Sequence, residues 1–298
     1  MKQFEQFYQN KHVLVTGGAG FIGSHLVEKL VELGAKVCVF DNFSTGKLQN
    51  LAHVASYISI SYSDVRSAYS CLKATAHQDI VFHLASQVSV PESINNPELC
   101  MQINVDGTHN MLEGCKKNHV KNFIFSSSSA VYGNTSAICH ETDMPCPQSP
   151  YAQSKLGGED LCKRYSDENG ISTACLRYFN VYGDRQNPMG NYAAVVAKFR
   201  HQLLAGQPIT VFGDGTQTRD FIHVGDVVNA NLKVGMLETV RGEIFNIGSG
   251  KSITLLQLLE RLEQELDIKR TNVSFQPARR GDVIHSQASC EKYQSLLG

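Results

Sequence analysis

The sequence contains no tryptophan, no surplus of either charge and no apolar run of membrane-spanning length. Its 27 Lys and Arg residues against 28 Asp and Glu leave a formal net charge of -1, which excludes the broad basic field that nucleic acid or anionic lipid requires. Met1 to Asn10 is polar and aromatic and lacks the apolar centre of a signal peptide, so secretion and membrane insertion are not expected. The nine cysteines (Cys38, Cys71, Cys100, Cys115, Cys139, Cys146, Cys162, Cys175 and Cys290) are odd in number, scattered and free of any C-x-x-C spacing. That distribution argues against a disulfide framework and suits reduced packing thiols of a cytoplasmic protein. The histidines form no H-x-x-x-H and no cluster with cysteine or aspartate, so no metal is expected. What remains is an ordinary globular composition, 42% hydrophobic and 18% charged over 298 residues, enough for a large core and two lobes.

Val13-Leu14-Val15-Thr16 reads as a buried strand, Ile22 to Leu33 carries apolar residues at helical spacing until Gly34, and Lys36 to Phe40 is a second strand ending at Asp41. The pattern recurs at Ile58 to Tyr62, Ile80 to Leu84, Asn122 to Ser126 and Ala174 to Tyr178, with helical stretches between several of them. This alternation predicts an α/β fold, a doubly wound parallel sheet covered on both faces. Past Gly183, turn signals at Asn187-Pro188, Gly206-Gln207-Pro208, Gly213-Asp214-Gly215 and Gly248-Ser249-Gly250 separate shorter elements. A smaller C-terminal lobe is expected there. The boundary falls near residue 180, giving lobes 1–180 and 181–298, although Asp226 to Leu237 has the pattern to return to the first.

Between the first strand and first helix lies Thr16-Gly17-Gly18-Ala19-Gly20-Phe21-Ile22-Gly23. Glycines here let backbone approach a pyrophosphate at a helix N-terminus. Gly18, Gly20 and Gly23 fit G-x-G-x-x-G, while Gly17, Gly20 and Gly23 fit G-x-x-G-x-x-G. With strand, loop, helix and second strand all in place, the reading is a Rossmann-type dinucleotide site. Asp41, 18 residues after Gly23, ends the second strand where a carboxylate accepts from ribose hydroxyls and repels a 2′-phosphate. NAD is therefore favoured over NADP.

Tyr151-Ala152-Gln153-Ser154-Lys155 puts a phenol and an ammonium one helical turn apart, facing the same way. A tyrosine with a pKa near ~10 is a poor base at neutral pH unless a cation favours the phenolate, and Lys155 is placed to be that cation. His83 ends an apolar strand, where a satisfied packing histidine is a better reading than a general base.

Together these segments resemble the extended short-chain dehydrogenases/reductases, in particular nucleotide-sugar 4-epimerases of the UDP-glucose/UDP-N-acetylglucosamine 4-epimerase type. The motifs carrying the resemblance are the Gly17 to Gly23 loop, Asp41-Asn42-Phe43-Ser44-Thr45-Gly46, Asp64-Val65, His83-Leu84-Ala85-Ser86, Asn104-Val105-Asp106-Gly107-Thr108, Ser126 to Gly133, Tyr151 to Lys155 and Arg177 to Gly183. The resemblance implies that Tyr151 takes the proton from the sugar O4 while C4 gives hydride to NAD. Lys155 would hold the nicotinamide ribose and lower the tyrosine pKa, and Ser128 would bond the O4 oxygen. It places Gly17, Gly20, Phe21, Ile22, Gly23, Asp41, Asn42, Phe43, Ser44, Thr45, Gly46, Asp64, Val65, Leu84, Ala85, Ser86, Asn104 and Phe179 around NAD. The 4-keto sugar then turns in the site and takes hydride back on its other face.

For the UDP-sugar, the same resemblance implies contacts from Asn180, the Tyr192 to Val196 segment with Ala194 and Val195, Thr210, Val211, Phe212, Arg219, Arg279 and Asp282. The arginines suit diphosphate oxygens, with Arg280 an alternative to Arg279. Ser286, seven residues after Arg279, stands where a family residue walls the sugar C2 substituent; its small side chain implies that N-acetylated hexoses are accepted. Homodimerisation is implied through helices near Val105 to Asn118 and Ala152 to Asn169. A dehydratase needs an Asp-Glu pair before Val-Tyr-Gly and a decarboxylase a glutamate at the Ala130 position; here Ser129-Ala130 precede Val131-Tyr132-Gly133. A non-catalytic nucleotide sensor on this fold commonly lacks the Tyr/Lys pair. The family usually continues past a Leu-Leu-Gly with a further helix, whereas this sequence ends at Leu296-Leu297-Gly298, so the second lobe is expected to be the looser one.

Overall fold

A computed structural model describes residues 2–135, 138–188, 194–237, 240–270, 272–278 and 283–297. Twelve strands are present among them: β1 (His12–Thr16), β2 (Lys36–Asp41), β3 (Ile58–Tyr62), β4 (Ile80–His83), β5 (Asn122–Ser128), β6 (Ser172–Tyr178), β7 (Asn180–Tyr182), β8 (Ile209–Phe212), β9 (Thr218–His223), β10 (Arg241–Ile247), β11 (Ser252–Thr254) and β12 (Val273–Gln276). Seven form one sheet in the order β10-β6-β5-β4-β1-β2-β3, every neighbouring pair parallel. This is the doubly wound, Rossmann-type order, reversing direction beside β1.

The side-chain alternation of each strand explains why both faces are covered. Along β1, Val13 and Val15 enter one apolar cluster and Leu14 the other, the period of two expected of a strand. The first cluster is closed by Leu26, Val27 and Leu30 of helix Phe21–Glu32 and by Val227, Val228 and Leu232 of helix Val224–Gly235. Met111, Leu112 and Cys115 of helix Gly107–Lys117 close the second, with Cys162 and Tyr165 of helix Pro150–Asn169. Each fully buried side chain of this size contributes about 1.5–3 kcal/mol. Cys71, Cys115, Cys162 and Cys175 belong to the second cluster as small apolar residues, and all nine cysteines are free thiols.

Smaller sheets, β11-β9-β7 and β12-β8, carry the C-terminal part. Their core, separate from the other two, gathers Phe199 and Leu203 of helix Val195–Leu204, Ile209 and Val211 of β8, and Leu258, Leu259 and Leu262 of helix Leu255–Leu266. The last helix starts on a reciprocal capping box between Thr254 and Gln257. Beyond residue 180 the chain returns to the first lobe, with helix Val224–Gly235 packing against the central sheet, β10 completing it, and Tyr293 and Leu296 lying against the same cluster. Among the described residues no helix is long and apolar enough to cross a membrane.

Candidate active site

The glycine-rich turn joins β1 to helix Phe21–Glu32. Gly17 has φ +66°, a left-handed value, and a Cβ there would lie 2.8 Å from the Ala85 nitrogen; a Cβ on Gly23 would lie 2.2 Å from the Gly17 oxygen. A Cβ on Gly18 would meet the Val39 side chain at 3.0 Å and the Val15 carbonyl oxygen at 3.1 Å, and one on Gly20 the Gly17 oxygen at 3.1 Å. The intolerant positions are thus Gly17 and Gly23, the outer members of the G-x-x-G-x-x-G spacing. Such a bare backbone cradle ahead of a helix fits a diphosphate.

Asp41 is buried at the end of β2. Its Oδ2 accepts from the Ala19 nitrogen at 2.9 Å and its Oδ1 from the Phe43 nitrogen at 2.8 Å. Each carboxylate oxygen retains a lone pair for a ribose hydroxyl. Gly46 lies against this carboxylate, 3.0 Å from a would-be Cβ, and Ser44 is turned by its N–H donating to Asn42 Oδ1. Phe43, at φ +56°, stacks on Tyr62 with centroids 4.8 Å apart. Asp64 is held by Arg66 through Nε at 2.9 Å and Nη2 at 2.8 Å, and by Asn42 Nδ2 at 2.9 Å; these bonds hold its carboxyl well below the usual range. Val65 is buried beside Gly107.

The next loop is organised by a chain of bonds that fixes the proton on His83. Thr16 Oγ1 accepts from the Leu84 and Ala85 nitrogens, each at 3.1 Å, and is left to donate to His83 Nδ1 at 2.8 Å. Thr108 Oγ1 donates to the Asn104 carbonyl at 2.6 Å and therefore accepts from His83 Nε2–H at 3.0 Å. His83 is thus a neutral Nε2–H tautomer in the core; burial first, and Lys155 second, push its pKa down to about 3. Between pH 6.5 and that value the unfolded chain binds a proton that the folded chain refuses, so stability falls with pH by about 1.4 kcal/mol per pH unit. Urea unfolding midpoints should drop from pH 6.5 to 5.5 in the wild type, and His83→Gln should flatten that slope; equal slopes would remove His83 as the cause.

Asn104 sits in a π-helical turn, Gln102–Asp106, a local widening common at functional sites. Its Oδ1 accepts from Ser86 Oγ at 3.1 Å and the Gln87 nitrogen at 2.8 Å, while Nδ2 donates to the Gln87 carbonyl at 3.0 Å and to Ser154 Oγ at 2.8 Å. One amide therefore ties the loop after β4 to the helix that carries Tyr151 and Lys155. That helix, Pro150–Asn169, is capped by Ser149, whose Oγ accepts from the Ala152 nitrogen, and ends on left-handed Gly170.

Tyr151, Lys155 and Ser128 come together at the end of β5. The Ser128 side chain lies near enough to the Tyr151 phenol to favour its ionised form. Lys155 Nζ donates to the Ser126 carbonyl at 2.8 Å and lies 5.1 Å from the Phe125 ring centroid and 5.8 Å from that of Tyr151. Burial raises the Tyr151 pKa, with the Ser128 bond opposing, and lowers that of Lys155 to about 8. The balance at the tyrosine is upward where the sequence led us to expect a lowering, because desolvation of the phenolate outweighs the effect of Ser128. Phe179 packs behind the site with Val131 and Tyr132.

Across from it, Asn180 Nδ2 donates to the Asp220 carbonyl at 3.1 Å. Arg219 Nη1 donates to the carbonyls of Thr218 at 2.9 Å and Ile284 at 3.3 Å, two residues from part-buried Ser286. Thr210 and Phe212 alternate with Val211, whose side chain is in the lobe's core. Ala194 is the N-cap of the helix begun by Val195. Arg279 and Asp282 lie outside the described residues.

The sequence reading assigned no role to Asp220, Glu159 or Arg177. Fully buried Asp220 accepts from the Ser249 nitrogen and hydroxyl, both at 2.7 Å, and from the nitrogens of Gly250 and Ala288, both at 3.0 Å. It therefore binds β9, the turn after β10 and the segment following Ser286 into one unit. A buried ion pair joins Glu159 to Arg177, with Nε at 2.9 Å and Nη2 at 2.7 Å. The one visible signal was spacing: Glu159 follows Lys155 by four residues, as Lys155 follows Tyr151.

With this geometry in place, residues 13–248 match the model of the NAD dependent epimerase/dehydratase family. The chain belongs to that family. NAD is its cofactor, and the Gly17–Gly23 cradle and Asp41 are the features that fit it. Among solved members, the UDP-N-acetylglucosamine 4-epimerase of Methanobrevibacter ruminantium M1, in complex with UDP-N-acetylmuramic acid, superposes with a TM-score of 0.92 at 37% identity, over 97% of this chain and 92% of that one. UDP-glucose 4-epimerase of Thermotoga maritima with UDP-glucose gives 0.89 at 38% identity, over 95% and 91%. A UDP-N-acetyl-alpha-D-glucosaminuronate decarboxylase of Bacillus cytotoxicus is 34% identical over 304 residues, covering 96% of this chain and 94% of its own. Within the epimerase/dehydratase family the reaction must therefore be argued from the site.

Proposed function

We propose that this family member inverts C4 of a UDP-hexose, with the UDP-GlcNAc/UDP-GalNAc pair as preferred substrates and UDP-Glc/UDP-Gal as further ones. The observation that carries this reading is the convergence of Tyr151, Lys155 and Ser128 at a strand end where Ser129 and Ala130 supply no carboxylate. Dehydration needs an acid at that place, and the decarboxylase pattern has a glutamate there.

When bound, NAD would supply the hydride acceptor for C4. Tyr151 takes the O4 proton and later returns it; Ser128 holds the same oxygen through its hydroxyl. Lys155, charged at neutral pH, has ammonium protons beyond the one given to Ser126 and would use them to hold the cofactor's ribose. On the sugar side, residues 181–298 except the segments that return to the main sheet form the UDP-sugar lobe. Arg219, whose guanidinium is pinned by two carbonyls, meets the diphosphate with Arg279. Ser286 leaves room for the acetamido group. Pairing of two copies through helices Gly107–Lys117 and Pro150–Asn169 belongs to the same reading, with molar mass in solution as its check.

Purified protein given UDP-GlcNAc and no added cofactor should form UDP-GalNAc. A 6-deoxy-4-keto product would replace this reading with dehydration; no product and no bound NAD would favour a sensor. Ser286→Tyr should lower kcat/KM for the acetylated pair by about a hundredfold and leave the other pair within about threefold. Wild-type activity confined to UDP-Glc and UDP-Gal would sink the proposed preference.

A further inference from the structure

Three consecutive serines end β5, and each meets the catalytic helix differently. The Ser126 carbonyl accepts from Lys155 Nζ at 2.8 Å, the Ser127 hydroxyl donates to Glu159 Oε1, and the Ser128 side chain acts on the Tyr151 phenol. On the helix the partners are spaced by four, so Tyr151, Lys155 and Glu159 form one continuous stripe. Glu159 is in turn gripped by Arg177 on β6, in register with Ser127. The pair is almost fully buried, with side-chain exposures of 2% and 4%. Behind it, the Arg177 guanidinium lies 4.6 Å from the Tyr132 ring centroid, and the Tyr132 hydroxyl donates to Asn246 at 2.7 Å.

Burying such a pair is costly, and apolar residues of like volume often serve stability as well. The place of Glu159 one turn beyond Lys155 on the same helix points to another role. We propose that Glu159 is a positioning residue of the epimerase reaction: through Ser127 it fixes Ser128 opposite Tyr151, and through its charge it keeps Lys155 an ammonium. The inference rests on the reading that Tyr151, Lys155 and Ser128 carry the chemistry.

The titratable and charged groups around Lys155 are Tyr151 and Glu159 on its own helix, Cys100 from the helix Pro97–Met101, His83 on β4 and Arg177 on β6. His83 is neutral. The Cys100 thiol is pushed up by burial, with Ser154 and Lys155 opposing, so it stays protonated. Glu159 is therefore the one nearby anion among these groups. Burial drives Lys155 to about 8, with Cys100 and Glu159 opposing the fall; with Cys100 a neutral thiol, Glu159 is the charge without which the ammonium would be lost at lower pH.

Two variants separate charge from position. Glu159→Gln should lower kcat roughly 10- to 100-fold with KM within about threefold, and should move the alkaline limb of kcat/KM down by about half a pH unit or more. The same downward move should appear in the Lys155 titration followed by NMR of lysine labelled at Cε, with the signal assigned by Lys155→Met. Ser127→Ala, which spares the charge, should lower kcat by about threefold or more without moving that titration. If Glu159→Gln does not fold, Glu159→Leu combined with Arg177→Met replaces the pair by apolar groups, and the Lys155 titration should again move down. An unmoved titration in every folded variant overturns the charge role, and wild-type kcat in Ser127→Ala overturns the positioning of Ser128. The titration needs no turnover, so a wild type inactive on UDP-sugars would count against the proposed reaction and leave this inference open to the same measurement.

Discussion

Tyr151→Phe should abolish epimerisation, with kcat down by roughly a thousandfold, while NAD binding and the fold persist. The ring stays packed because its backbone is held independently: the Tyr151 nitrogen donates to Ser93 Oγ at 3.1 Å, and the Tyr151 carbonyl accepts from Ser154 Oγ at 2.7 Å. Ser128 keeps its local bond, accepting from the Ala130 nitrogen at 3.2 Å. What disappears is the phenol beside Ser128 that the proposed reaction uses as its base. His83 cannot substitute, since both ring nitrogens are committed and its pKa lies near 3. Lys155 cannot either, because at neutral pH it is already protonated. Retention of more than about a tenth of the wild-type kcat would mean that another base operates.

The pKa directions at this pair show what the sequence could and could not convey. Four-residue spacing was enough to place Tyr151 and Lys155 on one face, and the strand-end serines were legible as a cluster. The balance of burial against charge was not, because desolvation depends on what the fold stacks above the helix. Phe125 beneath Lys155 comes from β5 and Cys100 from a helix some fifty residues away in sequence order. Likewise Asp41 was readable at a strand end, but its two backbone donors, Ala19 and Phe43, depend on how the glycine turn and the following loop close around it. Central strands with clear apolar runs were visible to within two residues. Ser127 and Ser128 extend β5 because their ladder partners, Arg177 and Tyr178, continue β6 alongside them, a pairing that hydropathy does not carry. The return of β10 to the sheet was equally silent, since a strand's neighbour is set by topology and not by its own composition.

Gly23→Ala should cost the protein its cofactor. Its Cβ would stand 2.2 Å from the Gly17 oxygen and 2.9 Å from the Gly17 carbon and the Gly18 Cα, all backbone atoms. No side-chain rotation relieves such a contact, so the turn must open. Opening is resisted on the other side, where Gly17 N–H donates to the Phe40 carbonyl at 2.8 Å and Gly17 backs onto Leu84 and Ala85. A turn forced out of shape withdraws N–H groups from the place where a diphosphate is received, and each hydrogen bond to a charged group lost there costs about 1.5–3 kcal/mol. One such loss weakens NAD binding roughly 10- to 100-fold, and two would abolish it at working concentrations. Gly20→Ala is the informative control. Its Cβ would be 3.1 Å from the same oxygen, a contact that a shift of a few tenths of an ångström relieves, so affinity should stay within about tenfold of wild type. Calorimetric titration with NAD measures both, and the absence of tryptophan makes calorimetry preferable to intrinsic indole fluorescence. If Gly23→Ala and Gly20→Ala bound NAD equally well, close backbone approach would not be what this turn is for. The charge of the cofactor's diphosphate would then have to be met by side chains, and Arg185, which reaches Ser24 Oγ at 3.3 Å on the adjoining helix, is already claimed by the Glu28 carboxylate at 2.6 Å.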